Sequence, residues 1–532
     1  MRRTIYLIAS VLAAACTQAP IAVTPPAMGW SSWNAFMTDI SDTLIMQQAD
    51  LMVSSGLAEA GYDHINIDDG YFGPRDENGN MTENPERFPG GMKPVVDHIH
   101  SLGLKAGIYS DAGDNTCGSG YNDDFYGFGA GFWGHEAQDA QVYFNDWNFD
   151  FIKIDFCGGS HLKLDAKERY LRIREAIDSV SSHPVELNIC RWHYPGTWVS
   201  RAADSWRISG DIAPEWRFIT YIMGMNMYLS AYAGGGKYND MDMLVVGYAG
   251  RPSMLRRGTG MSFAEEEAHF GLWCIMSSPL MIGCDLAYLP ENTRTLITNP
   301  ELLAINQDAL GLQPYVVQHE GEGYVLVKDV KVLRGNERAV ALYNPADSPV
   351  AFDVPSELLG FDGGIAVRDL VSREDVGTVR SIRMEVPAHY ARILSVKGKK
   401  RIEPSVYEAE WGYIPAYNDI GLGGAKYVRE DGASCAAVVK GLGGSEENCL
   451  QWRNLHRRRG GKHTMEVRYH SDVDCDAVLT VNGIAQTIKL QANSGFSEVA
   501  AVVKLRRGDN FVEISSPSAE LPAAIDCIRI SR

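Results

Sequence analysis

The chain has 532 residues, 45% hydrophobic and 22% charged, which is the composition of a globular protein too long for one ordinary domain. Its formal charge of −18 argues against nucleic acid or an anionic membrane surface as partner, since both are polyanions. Ten cysteines at scattered spacings exclude a zinc pattern: no close pair faces another, and no histidine pair completes one.

In chain order, the first segment is MRRTIYLIASVLAAACTQAP, residues 1–20. Arg2 and Arg3 precede an apolar run too short to span a bilayer, and small residues follow up to Cys16. That is the pattern of a secretory signal. Its Ala-Ala-Ala-Cys ending resembles a bacterial lipoprotein signal, which implies export and a lipid anchor on Cys16. Nine cysteines then remain, an odd number; in a disulfide-permissive compartment some pair and at least one thiol stays free.

Residues 25–310 alternate apolar strand-like runs with amphipathic helical stretches. YDHINIDDGYF (62–72), LKAGIYSDAG (104–113), FDFIKIDFCGG (149–159), VELNIC (185–190), SWRISGD (205–211) and NDMDMLVVG (239–247) are the strand-like runs. Between them lie MKPVVDHIHSLG (92–103), GHEAQDAQVYFNDW (134–147), LDAKERYLRIREAIDSV (164–180) and EWRFITYIMGM (215–225), with EEEAHFGLWCIMSSPLMIG (265–283) after the last. Repeated βα units over this length predict an eight-fold βα barrel. A doubly wound open sheet is the alternative, but no G-x-G-x-x-G follows the first strand. Residues 311–398 change to short, β-branched, alternating runs separated by turns, which predict an antiparallel β-sandwich. A charged linker, KGKKRIEP (397–404), leads to a second all-β domain over 404–532.

The chemistry collects at the predicted strand ends. These carry Asp68-Asp69, Tyr109 to Asp111, Lys153 and Asp155, Cys190-Arg191, Arg207 to Asp211, and Asp240 with Asp242. In a βα barrel the C-terminal strand ends share one face, where the active site forms. Any one of these carboxylates fits a helix cap, and Asp211 before Pro214 fits one well. A ring of them, with Lys and Arg interleaved, predicts a polar ligand pocket. Lys153 and Asp155 are two apart, so their side chains share a strand face. An ammonium beside Asp155 favours its ionised form, which a carboxylate nucleophile needs. A second carboxylate acting as acid and base would complete a retaining glycosidase.

Seven motifs carry a resemblance beyond this: MGWSSWNAF (28–36), INIDDGYF (65–72), GIYSDAG (107–113), FDFIKIDFC (149–157), WRISGD (206–211), YNDMDML (238–244) and LLAINQDALG (302–311). In that order they resemble glycoside hydrolase family 27, the α-galactosidase and α-N-acetylgalactosaminidase family, over roughly residues 25–400. The resemblance implies a retaining exo-α-galactosidase with Asp155 as nucleophile and Asp211 as acid/base, working without an organic cofactor or catalytic metal. It implies that Trp33, Asp68, Asp69, Tyr109, Lys153, Arg207 and Asp242 line the sugar pocket, and that Cys117 pairs with Cys157. One position departs: Arg191 stands where family members often carry a Glu that meets the substituent at sugar C2. Arg191 is therefore a candidate contact to an altered C2 group, or else the partner of a nearby carboxylate. The alternatives are α-N-acetylgalactosaminidase or β-L-arabinopyranosidase activity on the same fold, or a glycan-binding protein without catalysis.

The last domain resembles carbohydrate-binding modules of family 35 or 6, through YEAE (407–410) and IDCIRI (525–530). That likeness implies a structural Ca²⁺ held by Glu408, Glu410 and Asp526, hard oxygen donors suited to it. Alternating charge on an edge strand is the plainer explanation. Trp411, Tyr413 and Tyr417 are candidates either for sugar stacking or for ordinary packing.

Overall fold

A computed structural model describes residues 23–248, 260–418 and 424–531; the segment containing Cys16 lies outside them. Eight short strands alternate with helices: β1 (Met28–Ser31), β2 (His64–Asn66), β3 (Lys105–Asp111), β4 (Phe151–Asp155), β5 (Glu186–Ile189), β6 (Ser205–Arg207), β7 (Tyr238–Asp240) and β8 (Leu280–Ile282). Neighbours pair in parallel in the order β7-β6-β5-β4-β3-β2-β1-β8. A parallel bridge from Leu244, just past β7, to Ile282 in β8 closes the ring. The sheet is thus the barrel that the alternation predicts and not an open doubly wound sheet.

Parallel strands with helices outside and side chains inside are buried on both faces, so they read as apolar runs. Trp30, Ile65, Ile108, Ile152, Ile154, Ile189 and Trp206 are all buried. Helix starts follow local chemistry. Asp165 accepts from the Glu168 N–H at the head of Ala166–Val180, and Ser262 with Glu265 forms a capping box before Phe263–Met276. That last helix is buried along nearly its whole length because it lies between the barrel and the next domain. At Gly271 an added Cβ would come within 2.6 Å of Ile393 Cγ1, so the close approach needs glycine.

After the barrel, strands from Tyr315–Glu320 to Tyr390–Gly398 form a six-stranded antiparallel sheet and a separate two-stranded one. One hydrophobic core runs through both the barrel and this sandwich. Strands from Val406–Glu408 to Ala524–Ser531 form two further antiparallel sheets around a second core. This last domain docks on the barrel through tyrosines. Tyr413 and Tyr417 lie 5.1 and 5.0 Å from the Tyr232 ring, and Tyr232 and Tyr427 share a hydroxyl hydrogen bond of 2.9 Å. Trp411 Nε1 donates to the Val316 carbonyl at 2.7 Å. These three aromatics therefore join domains, the packing alternative of the sequence reading. Among the described residues, no helix is long and apolar enough to cross a membrane.

Candidate active site

The C-terminal ends of β1 to β7 deliver the polar residues to one mouth. At the end of β4, Lys153 Nζ lies 3.0 Å from Asp68 Oδ2, beyond β2, and 3.7 Å from Asp155 Oδ1. It also sits 5.3 Å from the centre of the Tyr109 ring, which comes from β3. Burial alone would pull the Lys153 ammonium down, but Asp155 and Asp68 outweigh it and hold it well above the ordinary lysine value.

Asp155 is 5% exposed. Burial pushes its carboxyl up to about 6, with repulsion from Asp68 and Asp211 adding to it and Lys153 and a hydrogen bond from Cys190 opposing it. Burial and the Asp155 charge raise the Cys190 thiol well above its usual value, so it stays protonated and donates. Asp155 Oδ2 lies 3.3 Å from Cys117 Sγ, a disulfide sulfur with no proton to give. Asp155 Oδ1 is buried with no hydrogen-bond partner. A carboxylate oxygen left bare beside an ammonium is costly to maintain, and such groups mark functional sites.

Across the mouth, Arg207 in β6 reaches two carboxylates. Its Nη2 lies 3.1 Å from Asp211 Oδ1 and 2.9 Å from Asp242 Oδ2, and Nη1 approaches Cys190 Sγ at 3.7 Å. Asp242 takes the left-handed conformation at φ 74°. In that pose Oδ2 also accepts from the Ile212 N–H at 2.8 Å and Oδ1 from the Met243 N–H at 2.8 Å. Asp242 thereby fixes the backbone next to Asp211. Asp211 itself caps nothing: the following helix begins at Trp216 with Glu215 at its N-cap position. It is instead half exposed beside the pocket. Burial lifts the Asp242 carboxyl to about 6 despite the Arg207 charge.

Asp69 faces away from solvent. Gly70 N–H donates to Oδ1 at 2.8 Å and Gly118 N–H to Oδ2 at 2.6 Å, so Asp69 ties the mouth to the loop after β3. Burial raises it to about 7. Asp111, at the end of β3, accepts from the N–H groups of Gly113 (2.6 Å), Cys157 (2.5 Å) and Gly159 (3.2 Å). The loops after β3 and β4 meet backbone to backbone, since a Cβ on Gly113 would lie 2.0 Å from the Gly158 carbonyl carbon. That contact brings Cys117 and Cys157 into a disulfide with Cα atoms 5.3 Å apart. Asp111 lies within metal-ligand reach of both sulfurs, but they are bonded to each other and offer no thiolate. The other seven described cysteines are free, so the expected further pairs do not form.

Trp33 heads the helical turn Trp33–Phe36 directly after β1 and is partly exposed. Tyr109 is buried, and its hydroxyl accepts from the Cys117 N–H at 3.2 Å. Arg191 makes no ion pair among the described residues. Its guanidinium lies 4.2 Å from the centre of the Phe156 ring, next to the nucleophile candidate, and its Nε is buried without a partner. Of the two alternatives for Arg191, the carboxylate partner is thus replaced by a cation–π stack, and the C2 contact stays open. One contributor, Asn188, escaped the sequence reading, and Cys190 stood in the strand-end ring without a role. Asn188 in β5 donates to Asp240 Oδ2 at 2.7 Å, and Cys190 hydrogen-bonds Asp155; a polar residue at a strand end was the only available signal.

In the last domain, Glu408, Glu410 and Asp526 are all buried, which overturns the exposed edge-strand explanation. Ser434 donates to Glu408 through its hydroxyl and to Asp526 Oδ1 through its N–H, the latter at 2.9 Å. Arg468 pairs with Asp526. Glu410 Oε2 has no hydrogen-bond partner. Burial, then Glu408, holds Glu410 well above the usual carboxylate range, and burial lifts Glu408 to about 7.

Residues 24–308 match the protein family described as Alpha galactosidase A, and residues 329–396 match its C-terminal β-sandwich domain. Alpha-galactosidase 3 of Arabidopsis thaliana is 37% identical over 371 residues, 68% of this chain and 80% of the relative. Alpha-galactosidase A of Cellvibrio japonicus is 35% identical over 413 residues, 73% of this chain and 95% of the relative. The crystal structure of α-galactosidase I from Mortierella vinacea superposes with a TM-score of 0.63 at 29% identity, covering 72% of this chain and 99% of that one.

The disulfide clamps the nucleophile candidate's strand end across a sequence separation of 40. Chain entropy for such a loop amounts to about 4 kcal/mol. Replacing Cys117 and Cys157 together by Ala is expected to lower Tm by several degrees and to reduce kcat more than it raises KM. Calorimetry with steady-state kinetics checks both; an unchanged Tm and kcat would contradict the clamp.

Proposed function

The chain belongs to the α-galactosidase A family, and from that premise we propose that it is a retaining exo-α-galactosidase that removes terminal α-D-galactosyl groups from oligo- or polysaccharides. The observation that carries this reading is the bare Oδ1 of Asp155, buried 3.7 Å from the Lys153 ammonium, in the same mouth as Asp211. Asp155 attacks the anomeric carbon while Asp211 gives its proton to the departing glycosidic oxygen, and the bond to that oxygen breaks. Asp211, now a carboxylate, takes a proton from water, whose oxygen displaces Asp155 from the sugar. Asp155 returns ionised, Asp211 protonated, and the configuration is retained. Both steps are glycosyl and proton transfers that two carboxylates supply, so the reading assigns catalysis no cofactor.

The remaining residues set the stage. Asp68, oriented by Lys153, is the acceptor for a galactose hydroxyl, and Asp69, buried with its two oxygens accepting from Gly70 and Gly118, positions the loop after β3 at the mouth. Trp33 offers an apolar face, and Tyr109 and Lys153 close the floor. Asp242 and Arg207 hold Asp211. Arg191, whose Nε lacks a partner, favours a second reading in which the substrate carries an altered C2 group, as an N-acetylgalactosaminide does, and an arabinopyranoside, altered at C6, is the third sugar class to compare. Turnover across those three sugar classes separates the two. Binding to all of them without turnover would favour a glycan-binding protein.

Export with a lipid anchor on Cys16 remains part of the reading, and a disulfide is in keeping with an oxidising compartment. The last domain is assigned to glycan binding by its likeness to carbohydrate-binding modules. Its buried Glu408 and Glu410, with an orphaned oxygen on Glu410 and no ion pair to it among the described residues, fit a hard divalent ion, and Asp526, which also pairs with Arg468, completes the acidic set. Calcium there would supply structural charge neutralisation.

Asp155→Asn is expected to lower kcat at least about a thousandfold while Tm at pH 7 stays level or rises. The rise follows because ionising a carboxyl shifted from its usual value near 4 to about 6 costs about 3 kcal/mol. Near-normal turnover would contradict the nucleophile assignment. The sign of the pH dependence is fixed by the same group. Stability from a raised folded pKa is full below about 4 and is lost as pH rises through about 6, whereas activity needs the ionised form. The acid limb of kcat/KM is therefore expected near pH 6, and a limb near pH 4 would contradict the burial of the nucleophile. Calcium is expected to bind the full chain stoichiometrically in calorimetric titration and to raise its Tm, with Glu410→Gln abolishing both. Binding that survives Glu410→Gln would contradict the site.

A further inference from the structure

Four of the seven exposed aromatic residues among those described fall in one loop, residues 121–133. Tyr121 is 83% exposed, Phe125 78%, Phe128 59% and Trp133 43%. Phe132 in the same loop is fully buried, so the loop has a defined inside and outside. It is also fastened at its base. Thr116 N–H donates to the Gly127 carbonyl at 3.0 Å, Gly131 N–H to Asp114 at 3.0 Å, Phe132 N–H to Asp111 at 2.9 Å and Trp133 N–H to Gly113 at 2.9 Å. Exposed aromatics on a fastened loop cost solvation without giving core packing, which marks a contact surface.

The loop begins in the galactose pocket itself. Cys117 Sγ lies 3.3 Å from the nucleophile, and Gly118 N–H holds Asp69. Cys117–Tyr121 is one helical turn, so Tyr121 stands about 6 Å along the axis from the disulfide. Asn122 reaches Met37 Sδ at 3.8 Å, which seats the turn against the segment that follows Trp33. The aromatic loop therefore starts beside the disulfide and Asp69 at the mouth and continues outward from there.

We propose that Tyr121, Phe125 and Phe128 form a stacking platform for the leaving-group sugars of the substrate, so that the enzyme favours α-galactosides borne on an oligosaccharide over those on small aglycones. This deepens the α-galactosidase reading and rests on it. Neutral pyranose rings present apolar C–H faces that pack on aromatic rings, and the platform's continuity with the pocket favours the glycan over a second copy of the chain.

The test compares the full chain with its Tyr121→Ala/Phe125→Ala/Phe128→Ala variant on three substrates. α-Galactosyl fluoride has a one-atom leaving group, raffinose a disaccharide, and an α-galactosylated mannopentaose a longer one. The variant is expected to keep kcat/KM for the fluoride within about twofold, and to lose about tenfold on the longest substrate with raffinose between. Equal losses on all three, or none on any, would overturn the platform. So would a change in sedimentation from dimer to monomer with unaltered substrate ratios, which would assign the face to a second copy. If the triple variant does not fold, Phe125→Ala alone carries the test with an expected loss of about threefold on the longest substrate. Failure of the unaltered chain to release fluoride would overturn the α-galactosidase reading and this proposal together.

Discussion

A carboxylate can attack a sugar only while ionised, and a protein interior resists that ionisation. The contact of Lys153 with Asp155 and Asp68 is the constraint around which the rest of the barrel mouth is arranged. Without that ammonium, burial and two neighbouring acids would drive Asp155 further toward its neutral form. The cation must itself stay protonated, and the two carboxylates that need it are also what hold its charge. Residues i and i+2 on β4 satisfy both needs at once, since a strand points them to the same side.

The opposite wall repeats the device with different parts. Arg207 is shared between Asp211 and Asp242, and Asp242 adds a backbone hydrogen bond that fixes the chain beside Asp211. The two walls meet at Cys190, whose thiol reaches both Asp155 and Arg207. Rigidity comes from the backbone: the Gly113–Gly158 approach, the three N–H groups on Asp111 and the Cys117–Cys157 disulfide lock the ends of β3 and β4 together. Several carboxyls raised to about 6 or 7 in one mouth oppose folding at neutral pH, and the hydrophobic core shared with the first sandwich offsets them.

Much of this was legible in the residue pattern. Apolar runs separated by amphipathic helices give the barrel because parallel strands are buried on both faces. The side shared by Lys153 and Asp155 follows from a period of two. The pairing of Cys117 with Cys157 was legible only through family resemblance, since no spacing rule selects it from nine cysteines. What stayed hidden depends on other strands. NDMDMLVVG reads as one strand, but β7 ends at Asp240, and Asp242 turns left-handed so that its carboxylate can meet Arg207. Asp211 reads as a helix cap until the helix is seen to start at Trp216. Arg191 reads as either a contact to the sugar or half of an ion pair, yet its partner here is a ring, and cation–π contacts leave no charge signature in sequence. Trp411, Tyr413 and Tyr417 resemble a sugar platform in composition but cover a domain junction, while the exposed loop aromatics drew no notice because exposure cannot be read from residue type.

The central claim is that Asp155 and Asp211 work on one anomeric carbon through a covalent sugar on Asp155. Its most direct measurement uses the Asp211→Ala variant with α-galactosyl fluoride, a substrate that needs no acid to leave, followed by peptide mass mapping of the quenched protein. The account predicts one galactosyl unit attached to the peptide that carries Asp155. No adduct while fluoride is released, or an adduct on any other carboxylate, would contradict it.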